Sequence, residues 1–309
     1  LEEIEDEIKE LKEQGMEDSD EAKRLANKRD KIEKHYSKLL KFRALYSKDN
    51  WIFNHIPAFD SKGRKLEFKP IDISQYSHEY LFKYGQKVVL LSATILNKDA
   101  FCESVGIDLD DAGFISIDSP FPKENTPVFY FPVGSMSKDR IDETLPTMVS
   151  VIKSLLEEHK HDKGIIHTRT FKIAQYLKQN IKSKRLLFHE SSDKDEMLQE
   201  HIHSDKPTVI LSPSSTEGLD LKGDLSRFQI ICKMHWPYLG DQLVKARMDK
   251  HQHWYAYQAV KAMIQARGRS IRTAEDFAVT YILDNDFERL YAKNLKLFPK
   301  YFRQSLHMD

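Results

Sequence analysis

Two cysteines, Cys102 and Cys232, are all that the 309 residues contain. Two thiols cannot build a disulfide framework or a four-thiolate cluster. A reducing, cytoplasmic setting is the default for such a chain. Long hydrophobic runs are missing as well. No stretch approaches the roughly 20 apolar residues of a membrane span, and no apolar signal region opens the chain, so no membrane partner is expected. Charge of one sign is not in excess: 48 Lys and Arg face 48 Asp and Glu. No global field singles out nucleic acid or membrane, and any such function must come from a local patch. Internal repeats and low-complexity segments are absent. Metal-ligand spacing is absent too: His251-Gln252-His253 does not put two imidazoles on one helix face, and no metal site is expected. What remains is a 40% hydrophobic, 31% charged composition, enough to bury a sizeable core. The length suggests about two domains. The first residue is Leu1, which is expected of a piece of a longer protein.

The first 48 residues lack proline. Ile4, Ile8 and Leu11 follow helical spacing, as do Leu25, Ile32, Tyr36, Leu39 and Leu40. Gly15 and Asp18-Ser19-Asp20 interrupt the pattern, so two helices in a hairpin are expected. Residues 1–20 are strongly acidic and 21–50 basic. Pairing of opposite charges between the helices explains this, and so does a basic arm that binds a nucleic-acid strand. Residues 49–86 read as short extended stretches and turns. A continuous apolar run at 88–91 then looks like a buried parallel strand.

From residue 127 onward, strand-like runs at 128–131, 164–167, 186–189, 208–211, 228–232 and 279–283 alternate with helical stretches near 140–159, 171–182, 193–203 and 241–265. Such alternation predicts an α/β layer fold with a parallel sheet and right-handed crossovers. Ligands in these sheets sit at the carboxyl ends of the strands.

Four segments at element ends carry chemistry. Ser92-Ala93-Thr94 follows the 88–91 run; its hydroxyls suit a phosphate or a helix cap. Thr168-Arg169-Thr170 sits between a strand and a helix, where free N–H groups and the helix dipole favour an anion, or where a helix N-cap stands beside an exposed arginine. Ser212 through Gly223 packs hydroxyls, two acids and two glycines into one loop, which suits a sugar–phosphate backbone. Gln265-Ala266-Arg267-Gly268-Arg269-Ser270-Ile271-Arg272 holds three arginines that would repel each other in a core. They call for an anion of high charge density. Trp236, Tyr238, Trp254 and Tyr255 are candidates for stacking on bases.

In this order, the four segments resemble the helicases of superfamily 2. Ser92-Ala93-Thr94 is similar to motif III, 164–170 lies where motif IV belongs, Thr216-Glu217-Gly218-Leu219-Asp220 resembles motif V, and Gln265-x-x-Gly268-Arg269-x-x-Arg272 matches motif VI. Phe68-Lys69-Pro70-Ile71-Asp72, Ser119-Pro120-Phe121 and His235-Trp236-Pro237-Tyr238 resemble the DinG/XPD (Rad3-like) branch. The resemblance covers about 66–309. It implies a RecA-like second motor lobe at 113–309, the end of the first lobe at 51–112, and the returning helices of an arch-type insertion at 1–50.

It further implies an ATP- and Mg²⁺-dependent, monomeric motor moving 5′→3′ on single-stranded DNA, with repair as one setting. Arg272 and Arg269 would reach the γ-phosphate, positioned by Gln265. Gly218, Asp220 and Gly268 would face the nucleotide. Ser92, Thr94 and Glu217 would couple hydrolysis to movement. Thr168, Arg169, Thr170, Ser214, Ser215 and Thr216 would hold strand phosphates. The departures are equally informative. No Gly-x-x-x-x-Gly-Lys-Ser/Thr loop occurs. Asp20-Glu21-Ala22-Lys23 imitates an acidic box only by chance, at a helix start. The branch's four cluster cysteines are missing. All three features would lie in a first lobe of the same polypeptide, preceding this chain, where any iron–sulfur cluster would also sit. Two other readings remain: a non-catalytic module binding single-stranded nucleic acid, and an RNA helicase of the same superfamily.

The 88–91 run, lacking its own sheet, is expected either to form an exposed edge or to pack on the second lobe.

Overall fold

A computed structural model describes residues 1–56, 65–188, 194–213, 221–271 and 273–308. They fall into two compact units, 1–72 and 73–309.

In the first unit, helices α1 (Glu2–Glu13) and α2 (Asp20–Leu45) form the expected hairpin. Gly15 takes φ +71° in the turn, a conformation that costs other residues more. The Ser19 hydroxyl caps α2 by accepting the Ala22 N–H at 3.1 Å. Ile4, Ala22 and Leu25 bury the contact between the helices. Charge acts between them at longer range, Glu5 of α1 on Arg29 of α2. Among the described residues, the ion pairs of Arg29 stay within α2, to Asp30 at 3.0 Å and Glu33 at 3.9 Å. Strands β1 (Trp51–Ile56) and β2 (Lys65–Pro70) pair antiparallel. An aromatic cluster backs them: Phe42 lies 5.0 Å from Trp51 and 4.5 Å from Phe68, centroid to centroid.

The second unit opens with α3 (Ser74–Tyr80) and α4 (Lys98–Val105). The sheet follows: β3 (Val128–Gly134), α5 (Ile141–Glu158), β4 (Gly164–His167), α6 (Phe171–Asn180), β5 (Leu186–Phe188), α7 (Lys194–His203), β6 (Val209–Ser212), β7 (Phe228–Ile231), α8 (Gln242–Lys250), α9 (Trp254–Arg267), β8 (Val279–Asp284), α10 (Asp286–Lys293), α11 (Lys300–Ser305) and β9 (Leu306–Met308). The seven strands β3–β9 lie in the order β5-β6-β4-β7-β8-β3-β9. Every pairing is parallel; Gly164, for example, stands between Val209 and Phe228. Continuous apolar runs make these strands because both faces are covered. Met148, Ile152, Ile173 and Leu177 from α5 and α6 pack one face. Val260 and Met263 of α9, with Phe287 and Phe302, pack the other.

Three expectations change. The 88–91 run forms no strand: Val89 is 80% and Leu91 89% exposed. A β-strand needs a neighbour to satisfy its backbone, and none is provided among the described residues. The long helix expected at 241–265 breaks into α8 and α9 at His251, whose extended backbone (φ −125°, ψ 98°) ends α8. Its Nδ1 meets the Glu103 carboxylate at 2.9 Å. Strand β9 was not foreseen; three residues are too few for a periodic signal.

Candidate functional site

Thr168-Arg169-Thr170 leaves the carboxyl end of β4. Thr168 is fully buried, and its hydroxyl donates to the Ser212 carbonyl at 3.1 Å. It is a strut between strand ends, not a group free for a phosphate. Thr170 caps α6, its hydroxyl accepting the Ile173 N–H at 3.3 Å. Arg169 adopts φ +65°, the one positive value of a non-glycine residue among those described. That conformation costs on the order of 1–2 kcal/mol for an L-residue. Its guanidinium donates to the Trp236 carbonyl at 3.2 Å. Arg169 is the cation of this strand end, aimed across at the loop after β7.

That loop is charged and half-buried. Lys233 donates to the Met136 carbonyl, and burial lowers its proton affinity. Asp284, at the end of β8, accepts the Met234 N–H at 2.8 Å, and burial raises its pKa. Of the four stacking candidates, Trp236 and Tyr255 occupy each other, stacked at 4.9 Å. Trp254 lies beneath Arg247 at 5.9 Å. Tyr238 is 75% exposed.

The Gln265–Arg269 segment ends α9. Its anchors precede strands rather than follow them, contrary to the expectation for this fold. Arg267 is the surprise. It is buried, and its Nη2 donates to the Thr126 carbonyl at 2.7 Å, the Thr126 hydroxyl at 2.6 Å and the Ser305 hydroxyl at 2.9 Å. Tyr301 and Phe302 flank it at 5.5 and 5.6 Å. No anion is needed: neutral oxygens and ring faces solvate the cation, while burial brings its pKa down to about 10. Ser270 donates to the Ser226 hydroxyl at 2.7 Å. Gly268 is exposed; Gln265 and Arg269 are half-exposed.

Ser92, Thr94 and Gln265 come together. Gln265 Nε2 donates to the Thr94 hydroxyl at 3.3 Å, and the Ser92 hydroxyl accepts the Thr94 N–H at 3.2 Å. Neither Ser92 nor Thr94 caps a helix; Asn97 caps α4, accepting the Ala100 N–H at 2.8 Å. Residues 94–105 run along α9, touching it at Gln265, at Tyr257 through the Leu96 backbone, and beyond its start at His251 through Glu103. Ser214, Ser215, Thr216, Glu217, Gly218, Asp220 and Arg272 lie outside the described residues.

The sequence reading missed a buried polar line. His167 Nε2 meets Gln229 Oε1 at 3.3 Å, and Gln229 Nε2 donates to the Arg267 carbonyl at 2.8 Å. A glutamine inside the apolar run 228–232 was the available signal.

The second unit is thus a seven-stranded parallel sheet with helices on both faces, a hydroxyl–arginine turn after β4 and an arginine segment at the end of α9. Residues 156–305 match the helicase C-terminal domain family. The chain is 25% identical to the ATP-dependent DNA helicase DinG of Photobacterium profundum, over 74% of this chain and 36% of that protein. It is 26% identical to a probable ATP-dependent helicase of Methanocaldococcus jannaschii, over 73% and 38%. It is 22% identical to the ATP-dependent DNA helicase YoaA of Escherichia coli, over 73% and 37%. The match spans little more than a third of each relative's length. Among solved structures, an XPD helicase (TM-score 0.57, 19% identity, 85% of this chain and 49% of that one) and apo XPD (0.59, 21%, 86% and 57%) share the fold.

Residues 156–305 thus match a helicase C-terminal domain, and the chain is similar to the C-terminal part of DinG/XPD-type helicases.

Proposed function

We propose that this chain is the C-terminal motor lobe of an ATP-dependent helicase that moves 5′→3′ on single-stranded DNA. One observation supports the reading above all. Thr94 and Gln265, 171 residues apart, are hydrogen-bonded, so the segments resembling motifs III and VI meet. On this reading residues 1–50 end an arch-type insertion, 51–112 end the first lobe, and 113–309 form the second.

ATP would be shared with a first lobe of the same polypeptide. Arg269 and Arg272 would stabilise charge on the transferred phosphoryl group, and Gln265 would orient them. Gly218, Asp220 and Gly268 would line the nucleotide, with Glu217 linking it to the strand. Among the described residues, no three His, Cys, Asp or Glu side chains converge on a metal position. Mg²⁺ would be held jointly with the first lobe. Cys102 and Cys232 are buried free thiols. Arg169 and Thr170, with Ser214, Ser215 and Thr216, would grip strand phosphates, which positions a strand without reading its sequence.

The test is binding of a fluorescent oligothymidylate across a salt series. Arg169→Gly removes the cation and also the cost of its positive φ. The variant is expected to melt no lower than the parent, while the salt slope falls by about 1. An unchanged slope removes Arg169 from the interface. Competition with the matching RNA, which differs locally by its 2′-hydroxyl, separates a DNA motor from an RNA helicase.

A further inference from the structure

The two halves of the candidate site are joined through the middle of the sheet. Arg267 is the last residue of α9, directly before Gly268-Arg269; His167 is the last residue of β4, directly before Thr168-Arg169-Thr170. Between them lies Gln229 of β7, with no exposed surface. Its Nε2 donates to the Arg267 carbonyl at 2.8 Å, which fixes the amide orientation. Oε1 must then accept from His167 Nε2 at 3.3 Å. The imidazole therefore carries its proton on Nε2 and leaves Nδ1 bare. That Nδ1 is buried without a hydrogen-bond partner among the described residues, and so is Nδ1 of His235. The two rings stand 6.1 Å apart. His235 immediately precedes Trp236, whose carbonyl holds Arg169.

The line is uncharged at physiological pH. Burial holds His167 down to about 4, with the Arg269 charge pressing the same way. Burial, with His167 and Arg169 nearby, holds His235 down to about 3. Leaving a buried hydrogen bond unmade is costly. Moving either end alone would break one of these bonds.

We propose that Gln229 and His167 are positioning residues that couple an anion bound at Arg269 to a nucleic-acid strand bound at Arg169 and Thr170. This rests on the function proposed above and deepens it by naming how the nucleotide half addresses the strand half. Such coupling is reciprocal: each ligand changes the affinity of the other by the same factor.

The whole chain is titrated with fluorescein-labelled oligothymidylate of about 12 nucleotides, with and without millimolar pyrophosphate as the anion. The parent is expected to change its oligonucleotide Kd by about fivefold or more on adding pyrophosphate. Gln229→Met keeps the volume and loses both hydrogen bonds. It is expected to bind oligonucleotide alone within about twofold of the parent while losing the pyrophosphate effect. Arg269→Gln is expected to lose the effect too. A full effect in Gln229→Met overturns the inference, as does no effect in the parent. An effect that persists in Arg269→Gln means pyrophosphate competes at the strand site, and also overturns it. A parent that binds no oligonucleotide is a different result: it overturns the strand reading, and the inference with it. Should Gln229→Met fail to fold, the imidazole ¹⁵N signals of His167 in the parent serve instead. They are expected in the Nε2–H form and to shift with either ligand; an unmoved pair of signals on adding pyrophosphate overturns the coupling.

Discussion

Arg267 and Arg269 stand two residues apart and live in different media. Arg267 is solvated by Thr126, Ser305 and two ring faces, 141 and 38 residues away along the chain for the polar partners. Arg269 is half-exposed. Arg267→Met leaves the Thr126 carbonyl and both hydroxyls short of a donor, so a loss of about 3 kcal/mol in urea unfolding is expected. Arg269→Gln should cost under about 1 kcal/mol in the same measurement. Equal losses would refute the division. That three arginines cluster at 267–272 is plain from the sequence. Which one the core takes is not, because its partners come from distant segments. The same holds for Thr168: a helix N-cap in 168–170 was open from the sequence and Thr170 supplies it, but only the fold shows Thr168 bonded to Ser212.

Elements follow their neighbours more than their own residues. The runs at 164–167 and 228–231 become strands because both faces are covered, and their contact is close. A Cβ on Gly164 would stand 2.5 Å from the Phe228 ring, which is fully buried. Gly164→Ala must move that ring or the strand, and a loss of about 1–3 kcal/mol in thermal or urea unfolding is expected; an unchanged midpoint would show that the sheet yields there. The 88–91 run has the same apolar composition and no strand to pair with among the described residues, and Val88, Val89 and Leu91 stay exposed. Composition legibly proposed a strand in both places. Backbone pairing, which composition does not encode, decided between them. The hairpin turn between α1 and α2 was legible in full because its signals, Gly15 and Ser19, act on the residues next to them.

At the scale of the molecule, buried imidazoles make stability depend on pH. His167 titrates near 4 and His235 near 3 in the folded chain, against about 6.5 unfolded. Above pH 6.5 both states are neutral and stability is at its full value. Below it the unfolded chain binds protons that the folded chain refuses, so stability falls. For His167 the loss is complete near pH 4 and on the order of 3 kcal/mol. His201, whose proton affinity burial also lowers, adds in the same direction. Urea midpoints are expected to fall steadily between pH 6.5 and 4; flat midpoints would contradict the burial of these rings. On the proposed function, activity at this scale depends on a nucleotide site shared with a first lobe. No phosphate-binding loop of the Gly-x-x-x-x-Gly-Lys-Ser/Thr form occurs in the 309 residues, and so the chain alone should show no DNA-stimulated ATP turnover. A clear stimulated rate would overturn the two-lobe reading.

By itself the sequence determined the class of fold, the positions of most sheet strands, the hairpin at the start and the candidate segments, because apolar period, turn chemistry and motif spacing are local properties. Only the tertiary structure decided which polar groups the core would take. It paired Thr94 with Gln265, buried Arg267, and ran Gln229 between His167 and the end of α9. Those choices depend on desolvation and hydrogen-bond geometry, which exist only once distant segments have been brought within about 3 Å of one another.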